Sequence, residues 1–314
     1  MSAPVSAAAG ESPEAVLRRH GKTFHFAQHF LGKRHANRAA RLYRFCRYVD
    51  DLADEPPNRS RADKELSVLS VVLDRGGITG DPIADDFIGL CQETRMDRQL
   101  GVLLIAGVRS DLGDVAIADE HGLLRYAYHV AGVVGLMMCK VLDVETDQAH
   151  PFAIDLGIAM QLTNIARDIS EDAKMGRRYL PASWIDASSL DYLVEPEPST
   201  QDDLRAANKR LLSVAETYYD SAASGMAYLP LRARFTIYLA STLYRRIGSA
   251  LAARDYAYWL ERASLSTPEK VQHGFGAALR FLSTPQLHRA GASHRAALHE
   301  ALIGLPGVNA LSGG

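Results

Sequence analysis

The chain has 314 residues, 47% of them hydrophobic and 23% charged, with 37 acidic against 35 basic side chains and 3 cysteines. That much apolar material excludes a disordered chain, and so few cysteines exclude a disulfide-stapled scaffold. A formal charge of −2 excludes a nucleic-acid binder, which needs a basic surface able to neutralise phosphates, so any cationic site is local.

Met1 to Glu14 has neither the basic start nor the apolar core of a secretory signal, and residues 1–13 are expected to form a flexible N-terminal tail. Helical periodicity then dominates, with no convincing alternating strand pair or Asn-Gly hairpin, which predicts an all-α fold. Helices are expected near 14–31, 36–55, 61–75, 82–93, 97–108, 120–143, 150–173, 201–225, 230–254 and 268–282. Pro56-Pro57, Gly76-Gly77, Gly80-Asp81-Pro82, Gly176, Pro181 and the run Glu195-Pro196-Glu197-Pro198-Ser199-Thr200 punctuate them. The last run is short and flanked by helices rich in Tyr and Leu, so 14–282 is read as one domain, and 283–314 as a loosely ordered C-terminal tail. The longest apolar run, Val130 to Leu142, is broken by Gly132, Gly135 and Lys140 and falls short of the ~18 to 20 residues that span a bilayer. Cys46, Cys91 and Cys139 are widely spaced without a CxxC, as expected of reduced thiols in a cytoplasmic protein.

Two acidic clusters carry the chemistry. In Tyr43-Arg44-Phe45-Cys46-Arg47-Tyr48-Val49-Asp50-Asp51-Leu52-Ala53-Asp54, Asp50 and Asp54 share a helical face at i, i+4, with Arg47 one turn before. In the stretch from Gln161 to Asp172, Asn164, Asp168 and Asp172 recur at i, i+4 and i+8, one turn after Gln161, on a helix otherwise made of Ile158, Leu162, Ile165 and Ile169. Carboxylates on largely apolar helices face a cleft and need cationic compensation. An all-oxygen donor set of this kind suits a hard divalent ion, Mg²⁺ or Mn²⁺, that shares its remaining positions with water and phosphate oxygens. Arg47, Arg167, Arg177 and Lys22 would supply the fixed cations that a departing diphosphate requires.

These residues resemble the squalene and phytoene synthases, which join two allylic prenyl diphosphates head to head, and bacterial phytoene synthases most of all. The resemblance spans about residues 18 to 275 in five segments in the family's order: His20-Gly21-Lys22-Thr23-Phe24, the Leu42-to-Arg47 approach with the first acidic motif, Tyr128 through Met137, Gln161 through Asp172 continued by Gly176-Arg177-Arg178-Tyr179-Leu180-Pro181, and Leu243-Tyr244-Arg245-Arg246-Ile247. Gly21 departs from it, standing where a serine is usual.

The resemblance implies an isoprenoid-synthase fold, one helical domain around a central cavity. Asp50, Asp54, Asn164, Asp168 and Asp172 would bind Mg²⁺, with Asp51 and Glu171 beside them, and Asp50, Asp54, Asp168, Asp172, Tyr128 and Tyr244 form the expected catalytic set. His20, Lys22, Thr23, Phe24, Tyr43, Arg47, Gln161, Arg167 and Tyr244 would contact the prenyl diphosphates, and Arg177 and Tyr179 would support closure. The family ionises one diphosphate, forms a cyclopropylcarbinyl diphosphate, ionises again and rearranges; phytoene synthases then lose a proton, whereas squalene synthases take hydride from NADPH. With no GxGxxG after a strand and no apolar C-terminal anchor in the sequence, NADPH is not expected. The expected partners are two prenyl diphosphates, with transient membrane-surface contact for product release by a cytoplasmic, peripherally associated protein. Nothing in the sequence fixes the oligomeric state.

Carbon–oxygen ionisation leaves an allylic cation beside diphosphate, so the site also needs a dry aromatic chamber, for which Phe24, Phe26, Tyr43, Tyr128 and Tyr244 are candidates. Ala36, Ala39 and Ala40 on one helix, and Ala127, Ala131, Gly132 and Gly135 on another, would leave room for a C20 rather than a C15 tail wherever they line it. His25 and His29 lack an evident third ligand and read as surface histidines, Arg59 and Arg61 as a solvated face, and Gly132 and Gly135 as points of close helix approach. Farnesyl diphosphate with a dehydrosqualene or squalene product is the alternative within the family. Asp50-Asp51-Leu52-Ala53-Asp54 also reads DDxxD, which keeps a head-to-tail prenyltransferase or terpene cyclase open, and a catalytically silent helical assembly factor is the alternative of another class.

Overall fold

Several of the expected helices begin at a side chain that satisfies an otherwise orphaned backbone donor. The computed structural model describes residues 11–54, 58–185 and 190–308. Ser12 caps α1 (Pro13–His20), and after Gly21 the chain continues as α2 (Lys22–Gln28), so the single helix expected over 14–31 is two. Next come α3 (Lys33–Asp54), α4 (Arg59–Arg75), α5 (Pro82–Thr94, capped by Asp81) and α6 (Gln99–Arg109). The stretch expected as one helix over 120–143 is α7 (Glu120–Ala127), a π turn over Tyr128–Gly132 and α8 (Val133–Val141). The long α9 (His150–Lys174) precedes a short α10 (Asp191–Val194), then α11 (Gln201–Ser224), α12 (Leu231–Ala252) and α13 (Thr267–Ser283), whose start is a Ser266/Glu269 capping box. Residues 1–10 of the expected tail, Glu55, the Pro56-Pro57 break and residues 309–314 lie outside the described residues.

Among the described residues there are two strands of two residues each, β1 (Val115–Ala116) and β2 (Arg177–Arg178), paired in parallel with Val115 opposite Arg177. Alternation cannot reveal strands of two residues, and their use is local: they hold the backbone of Arg177 beside the end of α3.

The fold is built around α9, which packs against α8, the π turn, α11 and α12. Glycines set the closeness of one crossing. A Cβ on Gly135 would lie 2.1 Å from the Ala153 carbonyl oxygen, and one on Gly157 would lie 2.2 Å from that of Ala131, so any side chain at either position would force the helices apart. The continuous helical run Glu120–Val141 is long and apolar enough to cross a membrane by composition, but half of it is buried against these neighbours, as in a core helix. Leu193 and Leu204, on either side of the proline-rich run at 195–200, enter the same apolar core.

The outer side of α3 is fixed by ion pairs. Arg38 reaches Glu93 at 2.7 Å and Asp143 at 2.8 Å, and Arg41 and Arg44 both reach Asp86 at 2.8 Å. The opposite side is left to Tyr43, Arg47, Asp50 and Asp54, which recur at i, i+4, i+7 and i+11 and so form one stripe.

Residues 283–308 correct the expectation of a loose tail. After 3₁₀ turns at Pro285–His288 and Ala296–Leu302, with Leu287, His299, Ala301 and Leu302 buried, this segment closes over α7, the π turn and α9. Arg125 donates to the Ala301 carbonyl at 2.9 Å, and Tyr128 to that of Pro306 at 2.7 Å. Asp155 of α9, fully buried, accepts from His294 and His299 at 2.8 Å each. Burial opposes the charge of Asp155, but the two imidazole hydrogen bonds outweigh it and hold the carboxyl below its usual range. The composition of the segment hid this, because its anchors are isolated residues without periodicity.

Candidate active site

Two cavities meet inside the bundle. One, of about 290 Å³, is apolar: Phe24, Ala27 and Leu31 from α2 and its exit, Ala39, Leu42 and Tyr43 from α3, Ala131, Val134, Gly135 and Met138 around the π turn and α8, Leu156, Gly157 and Met160 from α9, and Ile237, Ala240 and Tyr244 from α12. The other, of about 250 Å³, is polar and contains Arg47, Asp50, Asp54, Asp111, Tyr126, Arg167, Asp168, Asp172, Arg177 and Tyr179. Gln161 and Asn164 line both and mark the junction.

The two stripes expected from sequence therefore face one space. On α9, Gln161, Asn164, Asp168 and Asp172 repeat the i, i+3, i+7, i+11 register, with a break at Asp168, where φ is −108° and ψ is 17°. Successive residues of a regular helix do not face each other, and at this break the Arg167 guanidinium folds onto the Asp168 carboxylate, Nε to Oδ1 at 2.8 Å. Arg262, beyond α12, grips the same carboxylate at 2.8 Å. Burial works against the charge of Asp168, but these two guanidiniums pull its pKa below the usual range.

Among the described residues, Asp50 and Asp172 have no guanidinium hydrogen-bonded to them. Burial, with Asp54 and Asp51 adding repulsion against the relief from Arg47, pushes Asp50 up to about 7. Burial and the adjacent Asp168 push Asp172 up to about 8. Asp111 rises to about 6 through burial, in spite of hydrogen bonds from Tyr126 and Tyr179. Asn164 Oδ1 is buried with no hydrogen-bond partner. Asp50 and Asp172, whose ionisation burial opposes, together with the unsatisfied Asn164 amide oxygen form a donor set that a hard divalent cation fits, since it would supply the positive charge these two carboxyls lack. Asp51 is turned away into an i, i+4 ion pair with Arg47 and is 7% exposed, so it does not join the wall.

Arg177, fixed by β2, donates to Asp54 at 2.8 Å and bridges the ends of the two acidic helices. Tyr179 stacks on Tyr126 at 4.7 Å between ring centres, and the Tyr126 hydroxyl donates to Asp111 at 2.9 Å. At the junction, Phe24 lies 5.3 Å from Tyr244 and 6.4 Å from Tyr43, an aromatic collar at the mouth of the apolar cavity.

Four expected site residues are placed elsewhere. Tyr128 is fully buried, lines neither cavity and is engaged by the C-terminal segment; Tyr126, two residues earlier and thus on another face of the helix, lines the polar one. His20 and Lys22 are exposed and, like Thr23, lie on neither wall, because the chain breaks at Gly21 and α1 ends in solvent. Gly21 itself is pressed against Leu17 and Tyr43, where a Cβ would come within 2.7 and 2.9 Å, so the missing hydroxyl reflects a contact without room for one. Of the small residues, Ala39, Ala131 and Gly135 line the chamber, whereas Ala36, Ala40, Ala127 and Gly132 do not. Phe26 packs outside it with Leu239 and Leu243. His25 and His29 meet edge to face at 5.0 Å with no third ligand among the described residues.

Asp111, Tyr126 and Arg262 are site residues that sequence reasoning missed. For Tyr126 the helical phase relative to Tyr128 was the available signal, while Asp111 and Arg262 are isolated in sequence and reach the site only through chain crossings.

The sequence profile of the squalene/phytoene synthase family matches residues 17–269. The 15-cis-phytoene synthase of Pantoea ananas is 36% identical over 242 residues, which cover 73% of this chain and 78% of that protein. The phytoene synthase of Cereibacter sphaeroides is 35% identical over 270 residues, 82% of this chain and 75% of that one. A ligand-bound dehydrosqualene synthase structure superposes with a TM-score of 0.77 at 27% identity, covering 86% of this chain and 95% of that chain. A squalene synthase from Alicyclobacillus acidocaldarius, 21% identical, shares the fold with a TM-score of 0.68 over 78% of this chain and 93% of that chain. A bundle that opens an apolar chamber onto two opposed acidic stripes, in a chain matched over these lengths, belongs to the squalene/phytoene synthase family.

Proposed function

We propose that the protein joins two molecules of geranylgeranyl diphosphate head to head to form phytoene, with Mg²⁺ as its metal and without NADPH. The observation that carries this reading is the junction at Gln161 and Asn164, where a polar cavity rich in carboxylates and guanidiniums opens into an apolar one. A diphosphate head and a prenyl tail need those two environments side by side.

Asp50, Asp54, Asn164, Asp168 and Asp172 would hold the metal, which when bound neutralises the diphosphate as the allylic C–O bond breaks. Arg47, Arg167 and Arg177 add fixed positive charge at the oxygens of the leaving group. The collar of Phe24, Tyr43 and Tyr244 offers ring faces to the allylic cation, and the apolar walls beyond exclude water that would quench it. The double bond of the second prenyl diphosphate would then attack the allylic cation, loss of a proton would close the ring of the cyclopropylcarbinyl diphosphate, and its ionisation and rearrangement would end in loss of a second proton. Phytoene-synthase relatives that match most of the chain at 35–36% identity favour the C20 substrate.

Purified protein incubated with Mg²⁺ and either geranylgeranyl or farnesyl diphosphate, with and without NADPH, tests the reading. A C40 phytoene formed equally well in both conditions is expected. A C30 hydrocarbon from the C15 substrate alone would transfer the assignment to a dehydrosqualene-type synthase, the reading that the dehydrosqualene synthase neighbour favours.

A further inference from the structure

The segment between α12 and α13 brings Arg262 to Asp168. Arg262 donates to both oxygens of that carboxylate, from Nε at 2.8 Å and from Nη2 at 3.2 Å. Its side chain is 53% exposed, so packing around the guanidinium does not set this two-point grip, and the placement of its backbone has to. The chain leaves α12 through Asp255 and Tyr256, both in the left-handed region with φ at 52° and 60°. Neither is a glycine, and such a turn persists only where its surroundings hold it. The Tyr256 amide returns to the Leu251 carbonyl at 2.8 Å, and Arg254 spans the loop to the Glu261 carbonyl at 3.1 Å.

One face of α11 supplies the hold. Arg205, Asn208 and Lys209 share it at i, i+3 and i+4. Arg205 lies 5.5 Å from the ring centre of Trp259 and 3.5 Å from the Asp255 carboxylate, and Lys209 lies 6.0 Å from the ring centre of Tyr256. Between them Asn208 is fully buried. Its Nδ2 donates twice, to the Tyr256 carbonyl at 3.0 Å and to the Ala166 carbonyl of α9 at 3.4 Å. Ala166 stands two residues before the break at Asp168, so one nitrogen joins the loop that carries Arg262 to the helix that carries its target. The Asn208 Oδ1 is buried with no partner among the described residues. An apolar side chain of the same size would escape that cost, so packing alone does not call for an amide here.

We propose that Asn208 is a positioning residue for Arg262, holding the 253–262 loop against α9 so that the guanidinium meets Asp168 squarely, and that turnover depends on this tether. Asn208 lines neither cavity, so it acts through Arg262 and not on the substrate. The inference rests on the function proposed above, in which Asp168 is one of the carboxylates that hold the metal.

The test uses the full chain with Mg²⁺ and geranylgeranyl diphosphate, in the variants Asn208→Leu, Arg262→Ala and the two combined, with Asn208→Ala as a smaller replacement. Asn208→Leu keeps the volume but removes both donated bonds, and should lower kcat about tenfold with KM within about threefold of wild type. Arg262→Ala should cost as much or more. The double variant should be no slower than Arg262→Ala alone, because a tether has nothing to place once the guanidinium is gone, whereas a merely structural Asn208 would multiply the two losses. Hydrogen exchange in the ligand-free chain reads the tether without the reaction: amides of 254–262 should exchange about tenfold faster in Asn208→Leu, with α9 and α12 still protected. Wild type that released no diphosphate would sink the enzymatic reading, and the exchange result would still judge the tether. Unchanged exchange, a kcat for Asn208→Leu within about threefold of wild type, or multiplied losses in the double variant would each overturn the assignment. Loss of the helical spectrum in both Asn208→Leu and Asn208→Ala would overturn it too, by making Asn208 a residue of stability alone.

Discussion

Asp54, at the last position of α3, accepts a 2.8 Å hydrogen bond from the guanidinium of Arg177, which lies in β2 just past the end of α9. The pair closes the polar cavity between the two acidic helices and keeps a cation beside the place proposed for the diphosphate. Arg177→Ala should lower kcat about 10²- to 10³-fold, as loss of one fixed charge-stabilising donor does, with the helical spectrum intact. Rates within about threefold of wild type would remove Arg177 from the machinery.

Tyr126 and Tyr128 should separate catalysis from stability. Tyr126→Phe deletes the hydroxyl that meets Asp111 in the polar cavity and should slow diphosphate release without a large change in Tm. Tyr128→Phe leaves the Pro306 carbonyl without its donor and should cost about 1 to 3 kcal/mol of stability while sparing turnover. Thermal melts beside initial rates would read the two effects, and the reverse pattern would restore Tyr128 to the site.

Chain length should be set by the small residues on the chamber wall. Ala39→Phe or Ala131→Phe fills part of a cavity of about 290 Å³ and should shift preference from the C20 toward the C15 substrate. Ala40→Phe, at a fully buried position off the wall, should instead destabilise the helix packing without a selective change. Competition assays with both diphosphates report the ratio.

The raised carboxyls imply a definite dependence of stability on pH when divalent metal is chelated. The folded chain holds protons on Asp50 to about pH 7 and on Asp172 to about pH 8, whereas the unfolded chain releases them near pH 4. The native state thus binds more protons across that window, and stability contributed by these groups falls as pH rises from about 4 to 8. With chelator present, Asp172→Asn should melt about 2 °C or more above wild type at pH 8 and show little difference near pH 4. Excess Mg²⁺ should raise the wild-type Tm at pH 8 more than that of the variant, because the cation binds the ionised site of the folded state. A variant less stable than wild type under chelation would contradict the account.

Asp155 should behave in the opposite sense. Its folded pKa is lowered, so its contribution is present above the ordinary carboxylate range and is lost as pH falls below about 4. Asp155→Ala leaves His294 and His299 without their shared acceptor and should destabilise by about 3 kcal/mol or more. Limited proteolysis should then cut within residues 285–308, which wild type protects; equal protection in both would show that the clamp does not hold the segment.

The helical class, the positions of the long helices and the two acidic stripes were legible in the amino-acid order, because each is written in local spacing. Apolar residues every three or four positions specify a buried helix face, and carboxylates in the same register specify a stripe, wherever the helix is finally placed. That the stripes face one another across a cavity, that Arg177 closes it, and that Asp111, Tyr126 and Arg262 reach it were decided by the tertiary structure. Tyr126 and Tyr128 are both tyrosines in one helical stretch, and only the packing of the C-terminal segment on Tyr128 determines which of them lines the site. Residues 285–308 show the same limit: contacts to Asp155, Arg125 and Tyr128 are made across more than a hundred residues of chain, by single side chains with no repeat to betray them. Local pattern fixes what one element can bury or expose, whereas long-range contacts depend on where the chain returns, and that is settled only when the whole core packs.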